Sequence, residues 1–424
     1  MKRLSHMLPA GIHYAWIVVA LVFTTLLAAA AVRSAPSVLI VPLEQAFGWS
    51  PATISFAISL NLVLYGCMGP FAAALMQRFG IRPTLVGALC VVDLGVILSS
   101  FVSQPWHLVV CWGLLVGIGA GTVAPVLGAT VVNRWFTARR GLAMGIVTAA
   151  SATGQLLFLP TLASIAQSDG WRQAVYVVAA VLALVIPIVA FLLPERPETI
   201  GLRTFGETGP STAPAKPPAN PLVVAVNALG RASQSRDFWI FGTSFFVCGA
   251  SANGLVGTHL VAFCIDHGIP EVRAAWLLAA MGAFNIVGTT CSGWLSDRYD
   301  NRVLLMCYFG LRGLSLIYLP YSRFDLETLS VFAVFYGLDW LATVPPMMRL
   351  LTEAFGKADA PVIFGWIFAG HQLGAGSIAL LAGALRSDLG SYFIPFFLSG
   401  IMCLVIAVLV LRIGTGRLAL AGAE

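Results

Sequence analysis

Twelve apolar runs of near-membrane length leave this sequence few ways to fold. They lie at about 14–40, 52–74, 83–102, 107–132, 141–165, 172–193, 238–263, 272–295, 303–320, 329–349, 361–384 and 391–412. A hydrocarbon core of about 30 Å takes roughly 20 residues of helix to cross, so each run is a candidate span. Of the 424 residues 58% are hydrophobic and 10% charged, whereas an ordinary soluble domain carries about 25% charged residues. The fold class that follows is an all-α membrane protein with twelve transmembrane helices. The 42 Gly and 23 Pro, spread through the runs, fit a bundle in lipid, where neighbouring helices re-satisfy the backbone groups such residues free. The first run follows Lys2 and Arg3 and contains the small-residue stretch 28–31, features shared with a cleaved signal peptide. Eleven further runs behind it favour a first span.

A net charge of +6 suggests nucleic acid until its placement is read. With the N-terminus set in the cytoplasm, Arg33, Arg172, Arg273, Arg323 and Arg386 fall in or beside outer loops, and Arg312 lies inside a run. The other 18 of the 24 cationic residues fall on the inner side. That asymmetry is the positive-inside pattern, with both termini cytoplasmic. The expected surroundings are a lipid bilayer, with no nucleic acid. All eight Cys fall in or beside apolar runs, without C-x-x-C or Cys/His spacing, so neither a metal site nor a disulfide framework is indicated. Gly113, Gly117, Gly119 and Gly121 lack the strand and Lys of a phosphate loop and read as close helix packing. The outer loops are too short for a soluble catalytic domain.

One inner connection is long. Residues 1–193 form a first group of six runs, 194–237 a linker and 238–424 a second group of six. The linker core at 209–221 is rich in Pro and Ala and is expected to be extended and flexible, with a surface helix over about 222–235. Displacing the chain on itself by 220 residues aligns landmarks: Gly48 with Gly268, Arg78 with Arg298, Arg82 with Arg302, Pro125 with Pro345, Gly145 with Gly365, Gly154 with Gly374 and Gly170 with Gly390. Matched residues share one orientation, so the halves are parallel pseudo-repeats about an axis along the membrane normal.

Gly293, Asp297, Arg298 and Arg302 stand as G-x-x-x-D-R-x-x-x-R, which resembles the loop motif of the major facilitator superfamily. A degenerate first copy runs from Ala73 through Gln77 and Arg78 to Arg82. Trp135 and Phe136, followed by Arg139 to Gly145, are similar to the fifth-helix signature of the monocarboxylate-porter and oxalate/formate-antiporter branch. So is the string Phe47, Gly48, Trp49, Ser50. His371, Gln372 and Gly374, then Gly390 and Tyr392, resemble helices 11 and 12 of many bacterial members. The resemblance implies a transporter of the bacterial inner membrane that rocks its halves around a central substrate, without a nucleotide or metal cofactor. The loop motif offers charge-assisted bonds across the cytoplasmic gap, which favour one gate state by about 1–3 kcal/mol. Gln77 cannot supply that charge in the first half. Monocarboxylate porters carry an Asp and an Arg where this chain has Asn285 and Thr289, and the superfamily's fourth-helix Arg is missing.

An ionisable side chain at mid-membrane costs about 2.5–3.5 kcal/mol on insertion scales, so each asks for an account. Arg33 in the first run is either a snorkelling residue or a cavity cation that pairs with a carboxylate, for which its planar fork is suited. The branch carries a basic substrate-binding residue close to this place. Asn253 stands at the repeat-equivalent position. Three pairs four residues apart, Asn285 with Thr289, Asn61 with Tyr65 and Ser151 with Gln155, share a helix face; each is substrate contact or helix–helix glue. His371 and Gln372 sit near mid-depth, and His371 is an anion- or proton-binding group or a neutral bonded one. Arg312 and Asp339, one charge on each of two neighbouring helices, are expected to pair. Asp93 has no cationic partner in view and reads as a neutral supporting acid or a proton-coupling group. With His371 and Asp339 it completes the candidates for coupling.

The function these residues support is secondary transport of a small organic anion, a mono- or dicarboxylate, by proton symport or anion exchange. No catalytic residue is assigned, and a monomer is the expectation. An exporter of amphipathic or aromatic compounds is the alternative, with a membrane-embedded enzyme or sensor a more distant one. Reporter fusions to the N-terminus, the linker and the C-terminus should all report the cytoplasm. Ends on opposite sides of the membrane would overturn the topology.

Overall fold

The structure, a computed structural model, describes residues 13–123, 125–207 and 221–414. Among the described residues twelve helices are long and apolar enough to cross a membrane. They are α1 (Tyr14–Phe47), α2 (Pro51–Arg78), α3 (Ile81–Ser99), α4 (Pro105–Val123), α5 (Arg140–Ser168) and α6 (Trp171–Leu192) in the first half. The second half holds α7 (Arg236–Asp266), α8 (Glu271–Ser296), α9 (Asn301–Tyr321), α10 (Glu327–Gly356), α11 (Asp359–Leu389) and α12 (Phe393–Arg412). No strand occurs among the described residues, only an isolated bridge between Phe136 and Phe205. The linker core expected at 209–221 lies outside the described residues except for Pro221. The surface helix expected beside it spans Pro221–Ala232 and rests on both α2 and α11.

Helix ends depart from the apolar runs for a physical reason. Hydropathy marks the part of a helix that faces lipid, while caps decide where the helix stops. Thus α1 continues past residue 40 to Phe47, where Gly48 takes a left-handed φ of 66° and donates its N–H to the Glu44 carbonyl at 2.8 Å. Ser50 then caps α2, accepting from the Thr53 N–H, with Pro51 as the first helical residue. The string 47–50 is therefore a stop, a turn and a start. Its repeat mate Gly268 has φ 79°, and the matched pair Gly170 and Gly390 have φ 90° and 67°.

The packing repeats as the sequence does. Within the first half α1 packs on α5, α2 on α4 and α3 on α6; within the second α7 packs on α11, α8 on α10 and α9 on α12. Contact between halves runs mainly through two related pairs, α2 with α11 and α5 with α8. Small residues permit this closeness. A methyl group on Gly154 would overlap the Ala30 side chain of α1, and one on its mate Gly374 would overlap the Phe246 carbonyl of α7. One on Gly288 would overlap the Leu338 carbonyl of α10.

The halves are tied together on the face opposite the linker. Arg386 at the end of α11 donates through Nη1 to Glu44 of α1 at 2.7 Å. It donates through Nε and Nη2 to Asp266 of α7 at 2.9 and 2.7 Å. Beside it the Ala52 N–H of α2 donates to Ser387 at 3.0 Å. One guanidinium thus joins three helices from two halves.

Two outcomes are expected. Gly288→Ala should cost about 1–3 kcal/mol through overpacking, whereas Gly310→Ala, with nothing within 4 Å of the added carbon, should be neutral or stabilise by up to about 1 kcal/mol; thermal unfolding in detergent compares them. Arg386→Ala should loosen the far face by about 1–3 kcal/mol, read as a wider distance distribution between spin labels on the loops of that face.

Candidate functional site

Between the halves lies a cavity with about 780 Å³ of space free of protein atoms, its open mouth included. Eight helices line it. Arg33 and Ser37 come from α1, Asn61 and Tyr65 from α2, Val116 and Ala120 from α4, and Gln155 from α5. The second half adds Asn253 and Thr258 of α7, Leu278 of α8, Trp340 of α10 and Gln372 of α11.

Four departures from regular helix shape it, one of them the π-helical stretch Val109–Val116 of α4, which ends on the lining residue Val116. Pro36 in α1 has no N–H to give the carbonyl four residues earlier, that of Val32, which lines the cavity. In α7 a π-helical turn over Ala250–Val256 inserts the extra residue that turns Asn253 inward, and the Thr258 hydroxyl donates to the Asn253 carbonyl at 2.8 Å. In α10 the helix stops at Asp339 and restarts at Val344, with a turn between. The freed groups find partners: Arg312 Nη2 donates to the carbonyls of Asp339 and Trp340 at 2.7 and 3.0 Å, Ser292 donates to that of Ala342 at 2.5 Å, and the Leu341 N–H donates to Asn285 at 3.0 Å. This break delivers Trp340 to the cavity.

Arg33 is exposed although it sits well inside α1, and the space it faces is this cavity. Its guanidinium lies 5.3 Å from the centre of the Tyr65 ring. It is the only charged side chain on the cavity wall and has no carboxylate partner among the described residues. Asn61 is held by donating from Nδ2 to the Trp112 carbonyl at 2.7 Å, which leaves its oxygen as the open end. Gln155 stands across from Gly282 of α8. Gln372 is 1% exposed, with its Oε1 unpaired.

The fold therefore gathers Arg33, Asn61, Tyr65, Gln155, Asn253 and Gln372 at one place. It sets others apart. Asn285 and Thr289 are off the cavity wall: the Thr289 hydroxyl donates to Asn285 Oδ1 at 3.0 Å, the same oxygen that takes the Leu341 N–H, so this pair stitches the α10 break. His371 turns towards α7, its ring stacked 5.5 Å from Phe368 and tilted against that of Phe245 at 5.7 Å. Asp93 in α3 does not line the cavity and has an unpaired Oδ1. Arg312 and Asp339 bond at 2.5 Å. In the loop motif, Asp297 pairs with Arg349 of α10 and with neither motif arginine. Arg298 covers the Trp294 ring at 4.0 Å, and the Arg302 N–H caps onto Asp300 at 2.8 Å. Arg78 lies 5.2 Å over the neighbouring Phe79 ring, and the Arg82 backbone donates to Glu195 at 3.0 Å.

Sequence pattern alone does not single out Trp340, Thr258 or the Glu44–Arg386–Asp266 tie. A signal near the first is present: Pro345 and Pro346 follow it closely, and two residues without an N–H mark a helix start.

Comparison with known proteins converges on one family. The sequence model described as Major Facilitator Superfamily matches residues 21–338 and 265–418. The uncharacterised MFS-type transporter YcxA of Bacillus subtilis is 27% identical over 395 residues, covering 88% of each chain. Monocarboxylate transporter 13 of Rattus norvegicus is 28% identical over 369 residues, 86% of this chain and 80% of that one. Monocarboxylate transporter 11 of Homo sapiens is 28% identical over 378 residues, 85% of this chain and 75% of that one. Among solved structures, a D-xylose–proton symporter superposes with a TM-score of 0.73 at 15% identity over 95% of this chain and 98% of that one. A bacterial homologue of the human lysosomal transporter Spinster does so with 0.72 at 15% identity over 94% and 95%. With twelve spans, paired six-helix halves and a central cavity, this chain belongs to the Major Facilitator Superfamily of membrane transporters and is not an enzyme.

Proposed function

We propose that the protein is a secondary active transporter that carries a small organic anion across the cell membrane by alternating access, driven by proton symport or anion exchange. One observation carries this reading: the Arg33 guanidinium stands on the wall of the cavity between the halves with no carboxylate partner among the described residues. A cation left without a counter-ion inside a membrane span calls for one, and Arg presents a planar fork that a carboxylate fits with two bonds. One fork matches one carboxylate, so a monoanion is favoured over a dianion. Asn253 and the open oxygen of Asn61 supply hydrogen bonds to a polar substituent. The similarity to monocarboxylate transporters supports the same class of substrate.

In this reading the linker face is cytoplasmic, both termini lie there, and the Arg386 tie belongs to the state closed to the outside. The working unit is a monomer. A second reading has one observation in its favour: Ile58, Leu62, Val116, Leu159 and Leu278 make the walls mostly apolar, with Tyr65 and Trp340 between them. An exporter of amphipathic or aromatic compounds would use such walls.

The test is uptake of labelled short carboxylates into proteoliposomes. Arg33→Ala should abolish uptake, a loss of about 100-fold or more for removal of a charged partner, and Arg33→Lys should restore part of it. Unchanged uptake in Arg33→Ala removes the assignment, and export that short carboxylates do not inhibit supports the second reading.

A further inference from the structure

We propose that the buried cluster around Asp339 is a proton-binding site, separate from the substrate cavity and linked to it by the break in α10. Arg312 is fully buried and Asp339 is 5% exposed. From α9 the guanidinium reaches two other helices, α10 and α7, through four acceptors: Asp339 Oδ2 at 2.5 Å, the carbonyls of Asp339 and Trp340, and the Cys248 sulfur of α7 at 2.9 Å. Only one of the four is charged. Arg312 thus keeps three neutral acceptors when Asp339 is neutralised, while its charge is left without a counter-ion inside the cluster.

Asp339 is built unevenly. Oδ2 takes the Arg312 bond, while Oδ1 is buried and accepts no hydrogen bond from the described residues. An ionised carboxylate spreads its charge over both oxygens and is stabilised by donors on both; the protonated acid keeps its hydrogen on one. The unpaired Oδ1 is the place for that hydrogen. The groups around it are Arg312 and Tyr308 of α9, Cys248 of α7, Tyr336 of α10 itself and Cys403 of α12, with His371 of α11 on the far side of the Cys248 thiol. Tyr336 gives its hydroxyl hydrogen to the Ser251 carbonyl at 2.9 Å and so does not serve Oδ1. Among these groups Arg312 is the one fixed cation. With Asp339 ionised the two charges cancel. A proton on Oδ1 leaves the cluster with one positive charge inside the membrane.

That added charge has a route to the substrate. Asp339 is the last helical residue before the break, Trp340 follows it on the cavity wall, and Arg312 grips both their carbonyls. On the α11 side His371, with an unpaired Nδ1, adjoins the cavity residue Gln372, and its ring stacks on Phe368, which meets Tyr65. His371 therefore connects the cluster, through Cys248, to the cavity residues of α11. A monoanion in the cavity offsets the charge that the proton brings. By reciprocity each raises the other's affinity by the same factor, about tenfold for a coupling of ordinary size. One proton then travels with one monoanion, and the loaded carrier has the same net charge as the empty one.

The transport arm of the test rests on the carboxylate reading above; the spectroscopic arm does not. Infrared difference spectra of the purified protein in bilayers, titrated with pH alone, should show a protonated-carboxyl C=O stretch that grows as pH falls. The band should be missing in Asp339→Asn. Should that variant fail to fold, isotopically labelled aspartate in the wild type must shift the band, and Asp93→Asn must leave it in place. A band that persists in Asp339→Asn, or no titrating carboxyl in the wild type, makes Arg312–Asp339 a fixed ion pair and overturns the proposal. In proteoliposomes Asp339→Asn should retain counterflow of the anion and lose pH-driven accumulation by about tenfold or more. Accumulation in Asp339→Asn equal to wild type also overturns it. A titrating band with no carboxylate transport would remove the substrate assignment and leave the proton site standing.

Discussion

A hydrocarbon interior has no hydrogen bonds to offer, and every backbone group placed in it must be satisfied by the protein itself. That constraint makes the chain helical, and it also decides where helices can be interrupted. An unpaired backbone group away from water costs several kcal/mol, so an interruption survives only where other residues complete it. The α10 break draws on Arg312, Ser292 and Asn285 from two neighbouring helices. The π-helical turn of α7 draws on Thr258. Both interruptions border the cavity, to which they bring Asn253 and Trp340.

Reading length and hydropathy locates the twelve spans because a bilayer fixes a minimum apolar length. Helix ends are less legible, since they follow from caps such as Gly48 and Ser50 that carry no hydropathy signal. Arg33 and Asn253 are visible as a pair because the 220-residue repeat relates α1 to α7, and both line the cavity. The positions of Asn285 and Thr289 could not be settled from spacing. Four-residue spacing fixes a shared face without saying what that face meets, and here it meets a broken helix. His371 and Gln372 show the same limit: adjacent residues on a helix point about 100° apart, so one lines the cavity and the other packs towards α7.

The halves are alike in packing and unlike in charge. Each pairs its first helix with its fifth, its second with its fourth and its third with its sixth. The cavity cation belongs to the first half alone, and the buried Arg312–Asp339 pair to the second. Shifting by 220 residues puts Val92 opposite Arg312 and Gly119 opposite Asp339, so the first half has neither charge at the matching sites. Duplication supplies a scaffold with two related surfaces, and later divergence of a few side chains gives each surface its own chemistry.

The Arg386 arrangement has a consequence for how the far face parts. Its two acidic partners lie on different halves, Glu44 on the first, and Asp266 on the second with Arg386 itself. When the halves separate there, the guanidinium stays with Asp266 and remains neutralised, and only Glu44, already one-third exposed, is released to water. The clasp comes undone without stranding a bare cation in oil, and it is reset by a single carboxylate swinging home.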